Sequence, residues 1–110
     1  MSGFMPLIRT AVAAAALALT VPAHAGDHAV GQLKKAFTVP VVKAKVGDTV
    51  TFKNDDEFAH NVFSLSDVQS FDLGSYKKGE TRSLTLTSAG TIEVECAIHP
   101  EMKMKIEVAK

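Results

Sequence analysis

The chain has 110 residues, with 12 basic and 12 acidic side chains in formal balance. Neutrality excludes a strong electrostatic pull toward nucleic acid or an anionic membrane, and a single cysteine, Cys96, excludes an internal disulfide framework. The length allows one small domain whose apolar core is only modestly stabilising by itself, so a bound metal would be a natural supplement.

In chain order, Arg9 and the apolar run Ala11–Val21 precede Ala23-His24-Ala25, the layout of a secretory signal peptide cleaved after Ala25. The run falls short of the roughly 20 residues that cross a bilayer, so no membrane anchor is expected. The division predicted is a leader over 1–25 and an exported domain over 26–110, located in the periplasm. Cleavage there would leave Gly26-Asp27-His28 with histidine third from a free amine, a nitrogen set suited to square-planar Cu(II) or Ni(II).

Beyond the leader, turn signals at Pro40, Gly47-Asp48, Asn54-Asp55-Asp56, Gly74, Lys78-Gly79, Ala89-Gly90 and Pro100 cut the chain into pieces of strand length. Alternation within the pieces predicts half-buried strands: Val50 and Phe52 face inward, then Leu84 and Leu86, then Ile92 and Val94. His60–Leu65 is less regular, because Val62, Phe63 and Leu65 do not share one parity, but it too is expected to be a strand. No segment after the leader carries a helical stripe, so the expected architecture is all-β, a two-sheet antiparallel sandwich. The acidic run Asp55-Asp56-Glu57 and the lysines at 77, 78, 103 and 105 read as solvated surface.

Cys96 shares the parity of Ile92 and Val94, which points its thiol inward where the chain leaves the strand. It opens a C-x-x-H-x-x-M loop ending at His99 and Met102, after which Met104, Ile106 and Val108 resume an inward alternation. A thiolate, an imidazole and a thioether are a soft set, and a trigonal Cys, His, His site with a weak axial Met is the arrangement of copper electron-transfer centres. The second imidazole can come from His60, since loops at one end of a sandwich converge. Zinc competes less well, because methionine is a poor fourth ligand for it. A lone buried cysteine is ordinarily core filler, but an unligated thiol in an exported protein is an oxidation hazard, and His and Met at these offsets favour ligation. Met104 by its parity is core.

These motifs resemble the cupredoxin family, the type 1 blue-copper proteins of the plastocyanin, pseudoazurin and amicyanin group. The resemblance spans Phe37-x-x-Pro40, Val46-Gly47-Asp48-Thr49-Val50-x-Phe52-x-Asn54, His60-Asn61-Val62, Lys78-Gly79-Glu80, Gly90-Thr91-Ile92 and Cys96-x-x-His99-Pro100-x-Met102. The short gap between His99 and Met102 is amicyanin-like, whereas a longer gap would nominate Met104. Ile98 and Val94 depart from the group, where proline and an aromatic are common. The resemblance implies an eight-stranded Greek-key sandwich with one copper ion cycling between Cu(II) and Cu(I), held by His60, Cys96, His99 and Met102. It also implies that Asn61 ties the two ligand-bearing segments together, and that His99, ringed by Ile98, Pro100 and Ala59, is the solvent-facing ligand through which electrons pass. The function expected is a monomeric electron carrier, not an enzyme, meeting a redox donor and acceptor transiently. The alternative is a protein that stores or delivers Cu(I).

Overall fold

A computed structural model describes residues 25–110. The signal-peptide reading falls almost wholly outside those residues. Nine strands follow in order: β1 Asp27–Leu33, β2 Ala36–Phe37, β3 Val41–Lys45, β4 Thr49–Asn54, β5 His60–Ser64, β6 Phe71–Tyr76, β7 Thr81–Thr85, β8 Gly90–Glu95 and β9 Lys103–Ala109. They form two sheets, ordered β2-β1-β4-β7 and β3-β9-β8-β5-β6. The count exceeds the expected eight by β2, a two-residue strand that folds back on β1.

The alternations at 49–53, 91–95 and 103–108 each form a strand with the expected residues inside: Val50, Phe52, Ile92, Val94, Met104, Ile106 and Val108 are all buried. Leu84 and Leu86 are buried as well, though β7 ends between them. The two sheets enclose a core in which Phe37 meets Phe52 edge to face, centroids 6.2 Å apart. Burying a large aliphatic or aromatic side chain of this kind stabilises the fold by roughly 1.5–3 kcal/mol.

The expectation of antiparallel sheets needs correction. β1 runs parallel to β4, and β3 runs parallel to β9. Neither pair is joined by a hairpin: between β1 and β4 the chain crosses to the other sheet to form β3, and the hairpin geometry that enforces antiparallel pairing is absent. The irregular parity of β5 also has a cause. Its register against β6 shifts between Asn61 and Phe63, a bulge that lets His60, Asn61 and Val62 all be buried.

The β1–β2 hairpin turns on Lys34 and Lys35, both left-handed at φ 56° and 57°. For residues carrying a Cβ that conformation costs about 1–2 kcal/mol each. Gly47 at φ 96° opens the β3–β4 turn with no such cost.

Candidate metal centre

The site lies at one end of the sandwich, where β5 begins and β8 ends. Phe63 of β5 pairs with Glu95 of β8, which sets the start of β5 beside the end of β8. The inward row of β8 carries on through Ile92 and Val94 to Cys96, whose thiol is buried. The loop beyond is closed by the Met102 amide donating to the His99 carbonyl at 2.9 Å. His99 is thereby turned back toward the thiol while remaining half-exposed.

Three donor atoms converge. Cys96 Sγ stands 3.8 Å from His60 Nδ1 and 4.0 Å from His99 Nδ1, and the two nitrogens are 3.2 Å apart. These edges suit a triangle around one ion at metal–nitrogen and metal–sulfur bonds of about 2.0 and 2.3 Å. The tautomer of His60 fits too. Its Nε2 lies 2.6 Å from Asp56 Oδ2, and a carboxylate only accepts, so Nε2 carries the proton and the lone pair of Nδ1 faces the site.

Neighbouring groups hold the donors in place. The Asn61 amide donates to Cys96 Sγ at 3.5 Å, and Asn61 Oδ1 accepts from the Ala97 amide at 2.6 Å, so Asn61 does tie the β5 segment to the ligand loop. Asn54 Nδ2 donates to the carbonyls of Phe58 and Tyr76 at 2.9 and 3.1 Å, which pins the backbone leading into His60. The Phe58 ring lies 5.3 Å from both imidazoles and covers their shared edge. Tyr76, beside His60 in the ladder, bonds through its hydroxyl to Gln32 Oε1, and burial pushes its phenol well above the ordinary range.

Met102 and Met104 are both buried, at 1% and 4% exposure. Met104 lies on the inward face of β9 with Ile106 and Val108, as its parity predicts. Met102 belongs to the Cys96–Met102 loop itself. Around His99, Ile98 and Pro100 are exposed and Ala59 is half-buried, and Phe58 joins them at 40% exposure.

Asp56 overturns the reading of its acidic run as solvated surface. Its side chain is 7% exposed, and besides His60 it accepts the amides of Lys34 and Lys35 at 2.6 and 3.1 Å. Burial pushes its carboxyl up, but the bonds from His60 and the two amides more than offset this and hold it below the usual range. Phe58 was equally silent in the sequence. Neither residue belongs to the C-x-x-H-x-x-M loop, and a carboxylate four residues before a histidine signals nothing outside a helix.

At the far end of β1, Gly26 and His28 converge on Asp48. The Gly26 amide donates to Asp48 Oδ1 at 2.7 Å, His28 Nε2 lies 2.9 Å from Oδ2, and the Lys45 amide donates to Oδ2 at 2.9 Å. Asp27 and His28 belong to β1, opposite Thr49 and Val50. A square-planar wrap through their amides would have to undo this strand end.

Known proteins agree with the fold and with copper binding. Residues 24–109 match the family model described as copper binding proteins, plastocyanin/azurin family. Over 107 residues the chain is 33% identical to methylamine utilization protein MauL of Methylorubrum extorquens, with 94% of each chain covered. It is 37% identical to amicyanin of Paracoccus denitrificans over 78 residues, 68% of this chain and 60% of that one. A solved structure of an oxidized amicyanin variant superposes with a TM-score of 0.71 at 32% identity, covering 82% of this chain and 97% of the other. By its fold, its His-Cys-His cluster and these matches, the chain belongs to the plastocyanin/azurin family of copper-binding proteins.

Proposed function

We propose that the protein carries single electrons between redox partners, and that one copper ion would be held by His60, Cys96, His99 and Met102. The observation that carries the reading is the convergence of two imidazole nitrogens and a thiol at one rigid end of the sandwich. Copper supplies the Cu(II)/Cu(I) couple. The protein supplies constancy: Asp56 and Phe58 fix the His60 ring, Asn61 fixes the thiol, and buried strands anchor both segments. Donors that cannot rearrange keep the geometry similar in both oxidation states, which lowers the cost of adding or removing an electron. The protein is a carrier and not an enzyme.

Storage or delivery of Cu(I) is favoured less by the geometry. A metal donor needs soft ligands that an acceptor can reach, yet Cys96, Met102 and Met104 are all buried and only the His99 edge meets solvent. That edge is ringed by Ile98 and Phe58, 48% and 40% exposed, an apolar surface for transient docking of a redox protein. We place the protein in the periplasm as a monomer without a membrane anchor, after loss of residues 1–25. Among the described residues, no helix is long and apolar enough to cross a membrane.

Loading with Cu(II) is expected to give an intense visible thiolate-to-copper band that Cys96→Ser abolishes. A colourless wild-type complex would overturn the ligand assignment. N-terminal mass spectrometry of the exported protein should find Gly26 first.

A further inference from the structure

We propose that the Lys34–Lys35 turn is a positioning element for the copper site, fixing the Asp56 carboxylate and through it setting the donor strength of His60. This rests on His60 being a copper ligand. Among the described residues, Lys34 and Lys35 are the only non-glycine residues with left-handed backbone. A two-residue hairpin turn of that shape ordinarily recruits Asn and Gly, and lysine brings no compensating side-chain bond to the turn. The Lys35 ammonium instead lies 5.6 Å from the centre of the Phe58 ring.

What the conformation achieves is the aim of two amides. The Lys34 N–H donates to Asp56 Oδ1 at 2.6 Å and the Lys35 N–H to Oδ2 at 3.1 Å, and Oδ2 is also the acceptor for His60 Nε2–H at 2.6 Å. The other side of the clasp is fixed as well: the Asp55 amide donates to the Gln32 carbonyl at 2.9 Å, and the Asp56 amide to Asn54 Oδ1 at 2.8 Å. The carboxylate therefore cannot rotate without opening the turn. Strain confined to one place and held by its surroundings is the pattern expected where it serves a site.

The direction of the effect follows from sharing. Electron density that the two amides draw from the carboxylate is not available to His60. With one amide removed, Asp56 accepts the His60 proton more strongly, the imidazole becomes a stronger donor, and Cu(II) gains over Cu(I). The reduction potential then falls. Removing the carboxylate's charge acts the other way.

The test replaces Lys34 or Lys35 in the full chain with its α-hydroxy acid, which turns one backbone amide into an ester and leaves every side chain unchanged. Each ester variant should have a lower copper potential than the parent, and in metal-free protein its His60 Nε2–H resonance should move downfield. Asp56→Asn should raise the potential, move that resonance upfield and weaken Cu(II) binding about tenfold. The double variant Lys34→Gly/Lys35→Gly keeps both N–H groups. In about 1 M salt, where the Debye length is about 3 Å, it should match the parental potential and melt at a higher temperature.

Ester variants that lose stability while keeping the parental potential and His60 resonance would reduce the turn to a scaffold and overturn the proposal. So would a double-glycine variant that shifts the potential as far as the esters, since the two N–H groups it keeps would then not be the cause. A failure of the underlying reading shows separately: His60→Ala would keep the visible band and parental copper affinity.

Discussion

At Cys96 two demands meet in one side chain: it closes the inward row of β8, and its sulfur accepts the Asn61 amide at 3.5 Å while facing two imidazoles. The two buried methionines nearby divide differently. Met102→Leu should keep the visible band but raise the potential, because losing a weak donor disfavours Cu(II). Met104→Leu should leave the spectrum alone and cost less than about 1.5 kcal/mol in a urea melt, as volume-conserving core changes do. Exchange of these phenotypes would move the axial ligand to Met104. Cys96, His99 and Met102 could be read in sequence because their spacing lies within one loop. His60 needed the convergence of loops in a sandwich to be nominated. Asp56 could not be read at all: its burial depends on the Lys34–Lys35 turn, more than twenty residues earlier in the chain.

Among the strands, β4, β8 and β9 were legible because each has one face in the core and one in solvent. β5, expected over His60–Leu65 and found over His60–Ser64, was legible more faintly, since its bulge breaks the period of two that carries the signal. β6 lies at a sheet edge with most of its residues partly or fully exposed, so its alternation is faint. Gly90, at the head of β8, illustrates how tightly such elements meet. Its φ is 137°, and a Cβ there would come within 2.7 Å of Val68 Cγ2. Gly90→Ala should therefore destabilise by about 1–3 kcal/mol. Gly47→Ala, with left-handed backbone but open space around it, should cost less. Thermal melts would check that ordering, and Val68→Ala should recover part of the Gly90→Ala loss but none of the Gly47→Ala loss.

For the whole molecule, Asp48 joins the start of β1 to the β3–β4 turn. The bond from His28, followed by those from the Gly26 and Lys45 amides, lowers its carboxyl to about 2. A carboxyl lowered on folding contributes stability that is complete above its unfolded pKa of about 3.9, and that contribution is lost as pH falls through about 2. Asp48→Asn should accordingly be less stable than the parent at neutral pH, with the gap narrowing from about pH 4 toward pH 2. Urea melts across that range would test it. A gap that stays constant would show that the bonds matter and the charge does not.

The position of β9 sets an order in time. This last strand of the chain lies inside its sheet, with β8 on one side and β3 on the other, so that Val41 stands opposite Lys105. The Cys96–Met102 loop hangs between β8 and β9. A chain emerging from its N terminus therefore cannot close the five-stranded sheet, or fix the far side of the Cys96–Met102 loop, until β9 has appeared. Pairings so distant in sequence also form slowly. Copper that arrives early meets a lone thiol and scattered imidazoles. Copper that arrives after β9 has docked would meet the finished triangle, so β9 has to be in place before the donor set is held on both sides.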